Sequence, residues 1–258
     1  MTQDNGGSAT KTGALVAWAW RNRLELWLLG GLFLAGLLIL AFGQIAEEVL
    51  EGDATWFDRE LLLALRNPVD HADPLGLAWL EEAARDITAL GSYSVLGIVV
   101  TAVIAYLLLI RREGAALWVL ASVVGGALLS NVLKHSFDRP RPDLVAHAAK
   151  VFSPSFPSGH ATLSAVTFLT LGALLASLHD SRRLKVFFLG IAIVITVMVG
   201  VTRVYLGVHY PTDVLAGWCI GAGWAAICWT VFHWLQRRGT LKPAARDALD
   251  EGDRTNGS

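Results

Sequence analysis

Cysteine and charge are both scarce in this sequence of 258 residues. The two cysteines, Cys219 and Cys228, stand in one apolar stretch, so we expect neither a disulfide framework nor a cysteine-based metal site. Charged residues make up 17% of the chain, whereas a typical soluble domain has about 25%. The 21 Lys and Arg nearly balance the 22 Asp and Glu, which gives no reason to expect a nucleic-acid partner. This composition argues against an ordinary soluble domain.

Hydrophobic residues are abundant instead, at 54% of the chain, and the mean hydropathy is +0.50. A helix needs about 18 or more apolar residues to cross a bilayer, and six runs come close to this length or exceed it. The runs are Leu26–Ala46, Ile87–Ile110, Gly114–Leu133, Ala161–Leu178, Val186–Thr202 and Val214–Phe232. We therefore predict an all-α integral membrane protein with six transmembrane helices, surrounded by membrane lipids.

The distribution of Lys and Arg predicts the orientation of the six helices. The short turns at 111–112 and 182–185 are rich in these residues, and such turns stay in the cytoplasm. The protein is therefore predicted to lie in the cytoplasmic membrane, with both termini in the cytoplasm. The predicted organisation is a cytoplasmic tail over 1–25, a six-span domain over 26–235 and a cytoplasmic tail over 236–258.

The extracytoplasmic segment 47–86, between the first two spans, is too long for a simple turn. Its apolar residues Trp56, Phe57 and Leu61 alternate with charged residues such as Asp58 and Arg59. This pattern suits a short amphipathic helix that lies at the membrane interface, and it suits equally a helix that covers the end of the bundle.

Three short polar stretches adjoin the predicted spans. Ionisable groups are costly beside a membrane, so these groups are candidates for function. Residues 134–142 leave the third span, residues 157–160 enter the fourth, and residues 203–213 connect the fifth to the sixth. All three stretches are predicted at the extracytoplasmic end of the bundle, which predicts a site there.

The first feature of this predicted site is a set of three cations, Lys134, Arg141 and Arg203. Arginine recognises phosphate oxygens with two parallel hydrogen bonds, and lysine acts as a point charge. Ser158 and Gly159 stand at a predicted helix start, where free backbone N–H groups and the helix dipole favour a phosphate. Together these residues predict an oxyanion-binding site.

The second feature is a pair of histidines. His209 and Asp213 are four residues apart, so the carboxylate can accept a bond from Nδ1–H and leave Nε2 free to attack phosphorus. His160 is then available to protonate the leaving group. No stretch has the spacing of metal ligands. We therefore predict phosphoryl transfer through a phosphohistidine, without metal or cofactor.

Each of these residues also has a structural explanation when it is taken alone. Lys134 and Arg203 are typical of cations that end a membrane helix, and a His–Asp pair is common at a helix start. Arg139 and Arg141 alternate with prolines, which indicates a stiff extended loop. Only the combination of all three stretches on one predicted face favours a catalytic site.

The three stretches together resemble the signature of the type 2 phosphatidic acid phosphatase superfamily. The matching motifs are Lys134-x6-Arg141-Pro142, Pro157-Ser158-Gly159-His160 and Arg203-x5-His209-x3-Asp213. The third motif of the family commonly opens with Ser-Arg, where this chain has Thr202-Arg203. The stretch from Asp86 to Ser92 also resembles bacterial members.

The resemblance implies an all-helical bundle that requires no metal. It makes His209 the nucleophile, Asp213 the residue that orients it, and His160 the proton donor. It assigns the phosphoryl oxygens to Lys134, Arg141, Ser158, Gly159 and Arg203. The implied substrates of bacterial members include phosphatidic acid, phosphatidylglycerol phosphate and undecaprenyl pyrophosphate, hydrolysed on the periplasmic or exterior face.

Two alternative functions remain open. Vanadium-dependent haloperoxidases share the phosphate-type pocket, but they are generally soluble, and six predicted spans argue against them. A non-catalytic lipid transporter or lipid-binding protein would need only the cations of the site. The presence of His160, His209 and Asp213 therefore favours a hydrolase of lipid phosphates.

Overall fold

The computed structural model describes residues 23–143 and 154–238, and the regular elements of this part of the chain are all helices. Its eight helices are α1 (Arg23–Glu51), α2 (Thr55–Leu63), α3 (Ala78–Ala89), α4 (Tyr93–Leu109), α5 (Glu113–Phe137), α6 (Gly159–Ser177), α7 (Arg182–Tyr205) and α8 (Pro211–Arg237). The only β-type pairing among these residues is an isolated bridge between Arg66 and Pro74. The predicted all-α fold is confirmed.

Five of these helices, α1, α5, α6, α7 and α8, are long and apolar enough to cross a membrane. Helices α3 and α4 together pass the same test, but they are bent by 46° relative to each other. Large apolar side chains such as Phe33 and Leu40 on α1 and Phe187 on α7 are exposed, as expected where lipid replaces water. The protein is therefore an integral membrane protein with five spans, or six if the bent pair counts as one.

The predicted second span, Ile87–Ile110, is wrong as a single helix. Helix α3 ends at Ala89, and α4 begins only at Tyr93. Ser92 has an extended backbone conformation, and its hydroxyl accepts a hydrogen bond from the backbone N–H of Val95 at 3.3 Å. This serine caps the new helix, so the apolar run is divided by a local capping signal.

Helix α6 is the most buried of the spanning helices, and it packs against α5, α7 and α8. Small residues line its contact with α8. A Cβ atom placed on Gly221 would lie 2.6 Å from the carbonyl oxygen of Thr162 and 2.9 Å from the Cβ of Ala165. The absence of a side chain therefore lets the two helices approach closely, as in many membrane bundles.

We expect Gly221→Ala to destabilise the protein by about 1–3 kcal/mol, because the added methyl group meets the backbone of α6. The measurement is the thermal unfolding midpoint of the detergent-solubilised protein. Gly190→Ala is the matched control, since nothing lies within 4 Å of a Cβ atom at that position. Equal midpoints for the two variants would contradict this account of the α6–α8 contact.

The segment between the first two spans covers the end of the bundle at which α8 begins. Helix α2 packs against α8, and Leu62 is buried in a cluster with Ala161 and Val214. The opposite side of α2 exposes Trp56 and Phe57. The predicted short helix is therefore present, in the covering arrangement. The predicted tails, 1–25 and 236–258, lie mostly outside the described residues.

Candidate active site

The three polar stretches meet at the end of the bundle that α2 covers. Lys134 lies in the last turn of α5, His160 in the first turn of α6, and Arg203 in the last turn of α7. His209 lies in the turn between α7 and α8, and Asp213 in the first turn of α8. Because neighbouring helices are antiparallel, residues from distant parts of the chain meet at the same end of the bundle.

The three predicted cations are close enough to one another to interact electrostatically. Lys134 interacts with both Arg141 and Arg203, and it is only 8% exposed. Its Nζ donates to the carbonyl oxygen of Pro154 at 2.9 Å, and Arg203 donates to Oγ1 of Thr88 at 3.2 Å. Three like charges that are buried or half-buried repel one another, so an anion of high charge density would stabilise the group.

Unpaired donors of the site also indicate an anion. Ser158 occupies the N-cap position of α6, but its hydroxyl makes no capping bond. This buried hydroxyl and the Nε of Arg203 have no hydrogen-bond partner among the described residues. Buried polar groups are normally paired, so both are suited to a ligand oxygen. A Cβ atom on Gly159 would lie 3.3 Å from the Cε of Lys134, so the glycine leaves this approach open.

The hydrogen bonds of His209 determine its tautomer. Nη1 of Arg141 lies 3.3 Å from Nε2 of the ring, and a guanidinium can only donate. Nε2 is therefore the unprotonated nitrogen, and Nδ1 carries the proton. Nδ1 lies 3.2 Å from Oδ2 of Asp213, which accepts this bond. The Nε2 lone pair is thus directed toward the cations, as a nucleophile at phosphorus would require.

Asp213 is fully buried and is held by several donors. Oδ2 also accepts bonds from the hydroxyl of Ser155 and, at 3.0 Å, from the backbone N–H of Tyr210. Oδ1 accepts from Nη1 of Arg139 at 2.7 Å. Together with the His209 ring, these donors make four groups that fix the carboxylate, with its Oδ2 aimed at His209.

Burial lowers the pKa of His209 to about 3, against the ordinary value of 6.5. Asp213 opposes this shift by stabilising the charged ring, and Arg141 and Arg203 reinforce it. The imidazole is therefore neutral at physiological pH. A neutral ring is the form that can attack an electrophile.

We expect wild-type protein to lose stability relative to His209→Asn as the pH falls from 7 to 4.5. Because the folded-state pKa of His209 lies below the unfolded value, only the unfolded chain binds the proton in this range, and acid favours unfolding. Each pKa unit corresponds to about 1.4 kcal/mol, so the difference reaches about 2–3 kcal/mol at pH 4.5. Thermal unfolding of both proteins at the two pH values measures this difference in stability. Equal losses of stability in wild type and His209→Asn would contradict the prediction.

His160 stands beside the bend of the α3–α4 pair. It interacts electrostatically with Arg203 and His209. A Cβ atom on Gly91 would lie 3.2 Å from the backbone oxygen of His160 and 2.5 Å from Cγ1 of Val199. The bend therefore brings α4 against the start of α6, close to the predicted proton donor.

Four residues of the site were missed by sequence reasoning: Asp58, Thr88, Arg139 and Ser155. Thr88 stands in the 86–92 stretch that resembles bacterial relatives, and this was the only signal for it. Arg139 was interpreted as part of a stiff loop, but its side chain is 11% exposed and pairs with both Asp58 and Asp213. Asp58 and Ser155 gave no signal in the spacing of residues.

Comparisons with known proteins identify the family of the chain. The model of the PAP2 superfamily matches residues 115–237. Phosphatidylglycerophosphatase B of Bacillus subtilis (strain 168) is 37% identical over 145 residues, which are 55% of this chain and 70% of that protein. Lipid A 1-phosphatase of Rhizobium etli is 34% identical over 140 residues, or 50% of this chain and 54% of that protein.

A solved structure extends the likeness to the fold. The crystal structure of a transmembrane PAP2 type phosphatidylglycerolphosphate phosphatase from Bacillus subtilis has a TM-score of 0.69 and 29% identity. The match covers 79% of this chain and 98% of that chain. Fold, site and relatives together define a class, the helical membrane lipid phosphatases. The chain belongs to the PAP2 superfamily, so the predicted family is confirmed.

Proposed function

We propose that this protein hydrolyses a lipid phosphate or lipid pyrophosphate through a phosphohistidine on His209, without a metal cofactor. The observation that carries the proposal is the pair of contacts at the two ring nitrogens of His209, from which its tautomer follows. Its Nε2 lone pair faces Arg141, and its Nδ1–H is directed at the buried Asp213. This pairing is the arrangement of a nucleophile and its orienting carboxylate.

In the first step, Nε2 of His209 attacks phosphorus and the bond from phosphorus to the leaving oxygen breaks. Arg141, Arg203 and Lys134 bind the equatorial oxygens, with the Ser158 hydroxyl and the backbone at Gly159. His160 gives its proton to the leaving oxygen. The phosphorylated ring of His209 carries a positive charge, which Asp213 stabilises through Nδ1–H.

In the second step, water attacks the phosphohistidine and the bond between nitrogen and phosphorus breaks. His160, now neutral, takes a proton from this water, and inorganic phosphate leaves. Nε2 of His209 regains its lone pair. The same three cations hold the phosphoryl oxygens in both steps, so one pocket serves both.

A lipid substrate fits the position of the site. The polar groups gather at one end of a bundle whose outer surface is apolar, so an acyl or prenyl tail can stay in the bilayer while the headgroup reaches His209. The named relatives act on phosphatidylglycerophosphate and on lipid A. We rank phosphatidylglycerol phosphate, phosphatidic acid and undecaprenyl pyrophosphate as nearly equal candidates, because the roles assigned to the three motifs concern the phosphoryl group and do not distinguish the tail.

We place the site on the periplasmic or exterior face and both termini in the cytoplasm. The support for this orientation is the excess of Lys and Arg in the turns at the opposite end, around Arg111 and Arg182. In this orientation the six-span domain runs over 26–235, and segment 47–86 covers the site from outside.

The experiment is release of inorganic phosphate by purified, detergent-solubilised protein from the three candidate lipids in the presence of EDTA. We expect turnover that resists EDTA, with one lipid preferred, and none with His209→Asn. His135→Asn is the matched control, because His135 is exposed and adjoins Lys134 in sequence. Equal release by wild type and His209→Asn would contradict the proposal.

The same preparation tests the two alternatives. Halide oxidation in the presence of vanadate, without phosphate release, would identify a haloperoxidase. Lipid binding by wild type and by His209→Asn, with no turnover by either, would identify a transporter or lipid-binding protein.

A further inference from the structure

A carboxylate outside the three motifs is buried beside the site. Asp58 lies on α2, the helix that covers the bundle, and its exposed fraction is 0%. Its Oδ1 accepts from the backbone N–H of Thr212 at 2.9 Å. Its Oδ2 accepts from the Thr212 hydroxyl and from Nη2 of Arg139, both at 2.6 Å. A buried charge is costly unless it is paired, and these three hydrogen bonds offset the cost of burying the Asp58 carboxylate.

Arg139 connects this carboxylate to the dyad. Nη2 donates to Asp58, while Nη1 donates to Oδ1 of Asp213 at 2.7 Å and to the hydroxyl of Thr212 at 2.9 Å. The guanidinium also lies over the ring of Tyr210, 4.4 Å from its centroid. Because the guanidinium fork is rigid, fixing one end orients the other.

The geometry points to Asp58 as a positioning residue: through Arg139 it fixes the carboxylate of Asp213 and thereby the orientation of His209. The inference rests on the proposed role of His209 as nucleophile. It makes α2, and with it segment 47–86, part of the phosphatase site. No residue of that segment belongs to the three motifs.

The charges in this group favour the same conclusion. Burial opposes the charge of Arg139, yet Asp213 and Asp58 together raise its pKa above the ordinary value. Asp58 and Asp213 both pair with the guanidinium of Arg139. Because Asp58 neutralises part of this positive charge, Asp213 interacts more strongly with His209. Arg139 is thereby held away from the phosphate pocket, whereas Arg141, two residues later, faces it.

The test variant is Asp58→Asn. Its amide oxygen can still accept the bond from the backbone of Thr212, but the side chain carries no charge to pair with Arg139. We expect kcat to fall about 10- to 100-fold, by analogy with the loss of a group that orients a metal ligand. KM and the inhibition constant of inorganic phosphate should stay within about threefold of wild type, because the phosphate pocket is unchanged.

Glu60→Gln is the matched control, since Glu60 is exposed on the same helix. It removes the same charge and should leave kcat unchanged. Arg139→Gln provides a second control. If Asp58 acts through Arg139, the variant with both Asp58→Asn and Arg139→Gln should lose no more kcat than the more impaired single variant. The reason is that both substitutions break the same connection to Asp213.

Three kinetic outcomes would overturn the inference. They are an unchanged kcat per folded Asp58→Asn molecule, a raised KM at unchanged kcat, and independent, multiplying effects of the two substitutions. The tautomer of His209, read from 15N shifts of histidine-labelled protein, gives a readout that does not need turnover. We expect Nδ1–H alone in wild type and a mixture in Asp58→Asn; unchanged shifts would contradict the inference. Inactive wild type would instead contradict the proposed function, and the shifts would still decide the role of Asp58.

Discussion

His209→Asn is expected to lower kcat by about 10,000-fold or more, because no other side chain can form the covalent intermediate. The asparagine amide can still donate to Oδ2 of Asp213, so the buried carboxylate keeps a partner and the fold is retained. Phosphate release from the preferred lipid, measured per folded molecule, gives the rate. Equilibrium binding of the same lipid should change little, because the cations that bind the phosphate are intact.

The control for this substitution is His135→Asn, at an exposed histidine one residue beyond Lys134. It should retain wild-type turnover. Residual turnover above about 1% of wild type in His209→Asn would mean that water attacks phosphorus directly, and it would contradict covalent catalysis.

Asp213→Asn is expected to lower kcat by about 1,000- to 10,000-fold, although the change is nearly isosteric. The charged Arg139 donates to Oδ1 at 2.7 Å, a stronger bond than that of the Tyr210 backbone N–H to Oδ2 at 3.0 Å. The amide oxygen therefore stays at the Oδ1 position and the amide nitrogen takes the Oδ2 position. That nitrogen donates to Nδ1 of His209, so the ring proton moves to Nε2. The lone pair that attacks phosphorus is then lost.

The measurement for this second variant is kcat with 15N shifts of the labelled histidine as a structural readout. The shifts should report Nε2–H in place of Nδ1–H. Asp180→Asn, at an exposed position between α6 and α7, should match wild type in both. A normal rate, or a reduced rate with an unchanged tautomer, would contradict the orienting role of Asp213.

The sequence predicted the residues that short-range patterns reveal. The apolar runs were long enough to predict the spanning helices, and alternating direction brings Lys134, His160 and Arg203 to one end. The spacing of His209 and Asp213 predicted their contact, because residues four apart adjoin at a helix start. These features depend on helix geometry and on the alternating direction of the spans, and short-range sequence patterns are enough to predict both.

The sequence could not predict contacts that depend on how a loop folds back. Asp58 is 154 residues from Thr212, and in the sequence it stands among charged residues typical of a solvated helix face. In the sequence, Ser155 looks like an ordinary serine of a loop. Only the fold shows that its hydroxyl donates to Asp213. The break at Ser92 was hidden by the hydropathy of its neighbours, because hydropathy does not register a capping hydrogen bond.

The most direct test of the covalent mechanism is rapid quenching of the enzyme during turnover of a lipid labelled in the transferred phosphate. We expect a phosphoprotein that is labile in acid and stable in alkali, with the label at His209 in mass spectra and absent from His209→Asn. Turnover in which no labelled protein forms before product, or a label on another residue, would contradict the account.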